Sequence, residues 1–228
     1  MKTIGIIGGL GPLATADLFQ KIIENTPAER DQDHIPVLIY NNPQVPDRTS
    51  AILHGGESPV REILRTGHVL EQMGADFLCL PCNTSFYYYD RIQSELNIPL
   101  LNLIDLTAEE IHRLRLRKVS VLGTEGTLRT GLYQKKIEDK GIALTAPTEE
   151  LMAQLQYVIY EIVKKKRFDL PIQGLRDALA AIYENEKPDA FVLACTELPI
   201  LFEKYHLPFP ILDPTEILAR EAVRQALL

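Results

Sequence analysis

Asp76-Phe-Leu-Cys-Leu-Pro-Cys-Asn-Thr-Ser85 reads as a short buried strand, Asp76 to Pro81, that stops at proline and delivers Cys82, Asn83 and Thr84 into a loop. A second stretch, Asp189-Ala-Phe-Val-Leu-Ala-Cys-Thr-Glu-Leu198, has the same shape and ends its strand, Ala190 to Ala194, at Cys195. Two strand ends that each carry a thiol followed by a polar residue suggest one site built from two related halves. The test is whether the flanking sequence repeats as well.

It does. Ile4-Gly-Ile-Ile-Gly8 matches Val119-Ser-Val-Leu-Gly123, and Gly11 matches Gly126, both 115 positions apart. Asp76 to Cys82 matches Asp189 to Cys195 at 113, and Pro99-Leu-Leu-Asn102 matches Pro210-Ile-Leu-Asp213 at 111. Order is kept and the offset drifts only slightly, which is the mark of an internal duplication. The expected fold class is α/β: two similar lobes with parallel sheets, related by a pseudo-two-fold axis, with the active site in the cleft between them. Residues 1–105 form the first lobe, completed by a closing helix over 213–228, and residues 106–212 form the second.

The remaining elements follow from periodicity and punctuation. Strands are predicted at 3–7, 37–40, 99–103, 118–122 and 210–212, where short β-branched runs meet Gly, Pro or Asn. Helices are predicted at 14–24, 58–73, 87–96, 107–116, 132–139, 151–166, 173–185, 200–205 and 215–228. Asn41 to Thr49 reads as a loop rich in turn formers, and Gly123 to Thr127 as a turn.

Bulk properties narrow the function. The 228 residues are 46% hydrophobic, enough for one large core or two small ones, and the net charge is −7. An acidic chain without a basic face is no general nucleic-acid binder. Three Cys make a disulfide framework unlike this chain, and free thiols fit a reducing cytosol. No apolar run reaches the ~18 residues of a membrane span. The reading is a soluble cytoplasmic protein.

In an open α/β sheet, ligands gather at the carboxyl ends of the strands, where Cys82 and Cys195 both lie. A free Cys is most often a small buried hydrophobe. Two at duplicated strand ends, facing each other across a cleft, also suit one reaction. One thiolate removes a proton from a tetrahedral carbon, and the opposite thiol returns one to the other face. Two other classes stay open: a non-catalytic amino-acid-binding protein, and a thiol oxidoreductase using Cys79-Leu-Pro-Cys82. The redox reading needs both sulfurs together at a helix N-terminus, whereas Cys79 lies inside the strand run and reads as core. Structural zinc would need a second Cys pair.

Gly8-Gly9-Leu10-Gly11 lacks the spacing of a dinucleotide fingerprint, and Tyr40-Asn41 stands where an acidic residue would end the second strand. A turn whose backbone N–H groups, at Gly9 and Leu10, open to a carboxylate is the better functional reading. Thr124 and Thr127 in the matching turn add hydroxyls. Arg48 sits in a loop, where arginines are ordinarily solvated. Lys164 to Arg167 is a basic cluster that ordinarily complements a helix dipole. Phe86-Tyr-Tyr-Tyr89 reads as packing or a subunit contact, and the five His form no ligand spacing.

Five motifs in order, Ile6-Ile-Gly-Gly-Leu-Gly-Pro12, Val45-Pro-Asp-Arg-Thr49, Pro81-Cys-Asn-Thr84, Gly123-Thr-Glu-Gly-Thr127 and Ala194-Cys-Thr-Glu-Leu-Pro199, make the chain resemble the aspartate/glutamate racemase superfamily, in its aspartate racemase branch. Glu197 after Cys-Thr fits that branch; the glutamate branch usually has His there. The resemblance implies racemisation without pyridoxal phosphate, other cofactor or metal, with Cys82 and Cys195 as the two acid/base residues. It implies that Arg48 and Lys164 bind the carboxylates of a small acidic amino acid. Gly9, Leu10, Asn83, Thr84, Thr124, Thr127, Thr196 and Glu197 would line the site. Lys165 is the alternative to Lys164. A homodimer is implied; the acidic charge and the lack of a long apolar run already argue against nucleic-acid and membrane partners. Glutamate or another related amino acid is the alternative substrate.

Overall fold

The first strand, β1 (Ile4–Gly8), is buried along its whole length in the computed structural model, which describes residues 1–228. The chain divides into two compact units, Met1–Leu103 with Thr215–Leu228, and Ile104–Pro214.

In the first unit β1 turns through Gly8 to Gly11 into α1 (Pro12–Asn25). Pro12 costs nothing at a helix start, where its missing N–H would have no intrahelical acceptor. The chain returns as β2 (Val37–Asn41), then α2 (Arg48–Leu53), α3 (Val60–Gln72), β3 (Phe77–Cys79) and α4 (Tyr89–Glu95). The sheet is parallel, in the order β2-β1-β3. α3 lays Ile63, Leu64, Gly67 and Leu70 on the core and ends where Gly74 adopts a left-handed φ of 93°.

The second unit starts on α5 (Leu103–Arg113) and continues through β4 (Lys118–Gly123), α6 (Glu125–Arg129), α7 (Gln134–Glu138), β5 (Ala143–Thr145), α8 (Glu149–Gln156), α9 (Gln173–Glu186), β6 (Ala190–Ala194), α10 (Glu197–Lys204) and β7 (Ile211–Leu212). Its parallel sheet runs β5-β4-β6-β7. Phe191, Leu193 and Leu122 pack there with Leu155, Ile159, Ile162, Leu175 and Leu201 in one core that reaches Cys195. The last helix, α11 (Pro214–Leu227), closes the first unit: Ala226 O accepts from Lys2 N at 2.9 Å, and Asn25 Nδ2 donates to Glu216 Oε1 at 3.1 Å.

The duplication extends to individual hydrogen bonds. Asp76 accepts Thr3 N–H at 2.6 Å, and Asp189 accepts Lys118 N–H at 3.0 Å. Leu78 N donates to Pro99 O at 2.8 Å, and Phe191 N to Pro210 O at 2.9 Å. Thr15 Oγ1 donates to Gly11 O at 3.1 Å, and Thr130 Oγ1 to Gly126 O at 2.6 Å. After each thiol the same turn forms: Ser85 N to Cys82 O at 3.3 Å, and Leu198 N to Cys195 O at 2.9 Å. Each unit thus starts its sheet with a carboxylate clamp and ends it with a thiol.

Some expectations fail locally. The 41–49 loop stops early, because Asp47 caps α2 by accepting Ser50 N–H at 2.8 Å. Thr124 caps α6 in the same way, so 123–127 enters a helix instead of remaining a turn. Residues 99–103 contribute one bridge, Leu78 to Leu100, and no strand. The helix expected over 151–166 is α only to Gln156; Tyr157–Val163 is π-helical. The edge strand β5 is a further element, too short for its alternation to register.

Gly9 has a φ of +94°, and a Cβ there would lie 2.3 Å from the backbone of Asn42. Gly9→Ala therefore meets both left-handed strain and a backbone clash. The expected loss is at least about 3 kcal/mol in denaturant unfolding. Gly141, at φ +73° with open space around it, is the control: Gly141→Ala carries strain alone and should lose about 1 kcal/mol.

Candidate active site

In the first unit the pairing of β1 with β2 runs to Gly8 and Asn41, and β3 stops at Cys79 opposite Ile6. The Gly9 turn, the Asn42 loop and the Cys82 loop therefore leave the same carboxyl edge of one sheet. Pro81 ends the strand direction, and Cys82 N–H turns back to Leu80 O at 2.8 Å. Cys82 then precedes a 3₁₀ turn, Asn83–Tyr88, in which Asn83, Thr84 and Ser85 are all buried. Ser85 Oγ is fully enclosed and has no hydrogen-bond partner. Cys79 is a free thiol with no exposed surface, and burial pushes its titration far up. It is core, which removes the partner that redox chemistry at Cys82 would need.

Arg48 is not a solvated loop residue. It is the first residue of α2 and 8% exposed. Its guanidinium donates to Leu10 O at 2.9 Å and Pro46 O at 3.1 Å, tying the glycine turn to the loop that presents it. The turn itself is less open than expected, because Gly9 N–H is spent on Thr15 Oγ1 at 2.9 Å. Sequence reasoning missed Asn42, which is buried and donates from Nδ2 to Glu62 Oε2 at 3.1 Å and Thr66 Oγ1 at 3.3 Å. Its signal was available: an Asn-Pro step straight after a strand, where a side chain can organise the turn.

In the second unit the register sets Gly123 beside Ala194, so Thr124 and Cys195 emerge from neighbouring strand ends. Thr124 and Thr127 face each other, Oγ1 to Oγ1 at 3.2 Å, and Thr124 Oγ1 also accepts Thr127 N–H at 3.3 Å. The Thr124 hydroxyl caps α6, and the Thr127 hydroxyl lies against it.

Cys195 Sγ donates to Glu197 Oε2 at 3.0 Å, and Thr196 Oγ1 reaches the same oxygen at 3.3 Å. Lys164 Nζ lies 3.6 Å from Glu197 Oε1, and Glu197 is only 4% exposed. Lys165 instead pairs with Glu161 at 2.7 Å on the exposed side, which selects Lys164 between the two candidates for this cluster. Glu197 was expected as a lining residue; here it joins the thiol to the ammonium. Burial raises the Cys195 thiol well above its ordinary range; the Glu197 charge adds to this and Lys164 opposes it. Burial and the Glu197 charge thus both favour the protonated thiol, whose Sγ is directed at Glu197 Oε2. No group of three or more His, Cys, Asp or Glu side chains is arranged to hold a metal ion. No helix is long and apolar enough to cross a membrane.

A family described as Asp/Glu/hydantoin racemase matches residues 7–222, and the chain belongs to it. Its fold is similar to that of an aspartate racemase from Picrophilus torridus, with a TM-score of 0.82 and 32% identity over 99% of this chain and 94% of the other. A broad specificity amino-acid racemase, RacX of Bacillus subtilis (strain 168), is 28% identical over 96% of both chains. A glutamate racemase from Aquifex pyrophilus is 27% identical over 70% of this chain and 62% of its own. The chain is thus a member of a racemase, and hence isomerase, family.

Proposed function

We propose that the protein interconverts L- and D-aspartate without pyridoxal phosphate, other cofactor or metal, using Cys82 and Cys195 as the two acid/base groups. The observation that carries this is the duplicated thiol turn: Cys82 and Cys195 each follow a buried parallel strand at the carboxyl edge of a sheet, on matching hydrogen-bonded turns. Likeness to the Picrophilus aspartate racemase supports the substrate.

In this reading Arg48 and Lys164 hold the two carboxylates, and the hydroxyl and amide donors of Asn83, Thr84, Thr124, Thr127 and Thr196 orient them. Backbone groups at Gly9 and Leu10 shape the first edge. A thiolate takes the α-proton, the electron pair stays on carbon beside the carboxylate, and the opposite thiol protonates the other face. Cys195 starts as the proton donor. In the reverse direction it must first lose its proton, and Glu197 is the acceptor at hand. A cytoplasmic homodimer completes the proposal.

Incubation with each aspartate enantiomer in D₂O tests it. The expected result is loss of optical rotation with one deuterium at the α-carbon. Absence of both exchange and inversion sinks the assignment. The likeness to a broad specificity racemase and a glutamate racemase favours a second reading with a wider substrate range. Running glutamate and neutral amino acids in the same assay separates the two.

A further inference from the structure

We propose that Tyr160 is a positioning residue for Lys164: its ring face, presented by the π-helical turn, holds the ammonium beside Glu197 and so fixes where a substrate carboxylate is met. The proposal rests on the reading of Lys164 as a carboxylate-binding residue.

Lys164 Nζ stands 5.0 Å from the centre of the Tyr160 ring, within the range of a cation–π contact. The spacing of four makes the two side chains neighbours on a helix, and the backbone beneath them takes a wider turn. Lys164 N–H bonds to Ile159 O at 3.1 Å, a five-residue step where an α-helix would use Tyr160 O. The wider turn places two adjacent pairs on the core, Val158 with Ile159 and Ile162 with Val163, all without exposed surface. Tyr160 follows the first of these buried pairs and Lys164 the second, four residues apart. Single π turns inside helices recur at functional sites, because the inserted residue re-aims a side chain.

The ring is itself anchored, packed against the core of the second unit. A lysine has four rotatable side-chain bonds and holds no single position unaided. Its neighbours show the alternatives: Lys165 reaches out to Glu161, and Lys166 takes a left-handed φ of 56° at the helix end. Of three consecutive lysines, only Lys164 lies over an aromatic ring, and that same residue meets the carboxylate bonded to Cys195.

Steady-state kinetics with aspartate on Tyr160→Leu, Tyr160→Phe and Lys164→Ala test this. KM is the primary readout, since it does not depend on the fraction of the sample that is folded; thermal midpoints are recorded alongside. Tyr160→Leu is expected to raise KM on the order of tenfold, with a smaller change in kcat. Tyr160→Phe keeps the ring and recovers most of the loss. A Tyr160→Leu enzyme with wild-type KM, alongside a Lys164→Ala enzyme with raised KM, overturns the positioning role and spares the reading of Lys164. A Phe variant as impaired as the Leu variant overturns it too, by giving the role to the hydroxyl. Wild-type KM in Lys164→Ala removes the reading of Lys164 itself, and this proposal with it.

Discussion

Cys82→Ala and Cys195→Ala should each abolish racemisation, with kcat falling by about 10²- to 10⁴-fold or more, the range general acid–base groups contribute. The informative part is what survives. A variant with one thiol can still exchange the α-hydrogen of the enantiomer that faces it, because removal and return occur on one side. In D₂O, Cys82→Ala should label one aspartate enantiomer and Cys195→Ala the other, both without inversion. Exchange is the right readout, because the enantiomers have equal free energy in water and kcat/KM for racemisation must be equal in the two directions. A selective loss can therefore show only in exchange, or in kcat and KM taken separately. Two variants that label the same enantiomer, or one that still inverts, would end the two-thiol proposal. Cys79→Ala is the control. That thiol is a fully buried core group, so the variant loses stability but keeps inversion.

The sheets and the duplication were readable from the sequence because their signals are local. Buried parallel strands are unbroken apolar runs, and Gly, Pro and Asp punctuate them at matching places in both halves. The two thiols were readable for the same reason, since each follows such a run directly. Arg48 was not. Its buried guanidinium is held by carbonyls at Leu10 and Pro46, and one of these lies far off in sequence. A six-residue helix is also too short to show a period. The π turn left no mark either: Tyr157 to Val163 has the composition of an ordinary helix, and the change lies in which carbonyl each N–H chooses. The role of Glu197 was hidden differently. An acidic residue in the first turn of a helix usually reads as a partner of the dipole. Only burial beside a thiol and an ammonium brings it into the proposed chemistry.

Glu197→Gln should therefore cost most outside the thiols themselves, and its sign can be worked out in advance. The carboxylate does two things to Cys195: its charge raises the thiol's pKa, and its oxygen can accept the thiol's proton. An amide keeps the shape and loses both. With the negative charge gone, Cys195 titrates at lower pH, so the proton donor is lost earlier and the alkaline limb of the kcat/KM profile moves down. The larger thiolate fraction helps the direction in which Cys195 is base, but that direction also loses its proton acceptor. Acceptors of this kind contribute about 10²-fold or more, which outweighs the gain, so kcat/KM should fall by roughly 10²-fold, equally for both enantiomers. Lys164→Met works on the same thiol with the opposite sign: Lys164 lowers the Cys195 pKa, so its removal should move the alkaline limb up. Opposite displacements from two neighbouring substitutions are hard to obtain from general damage to the fold. If both variants shift the limb the same way, or leave it in place, the titrating group is not the Cys195 thiol, and Glu197 is a structural carboxylate.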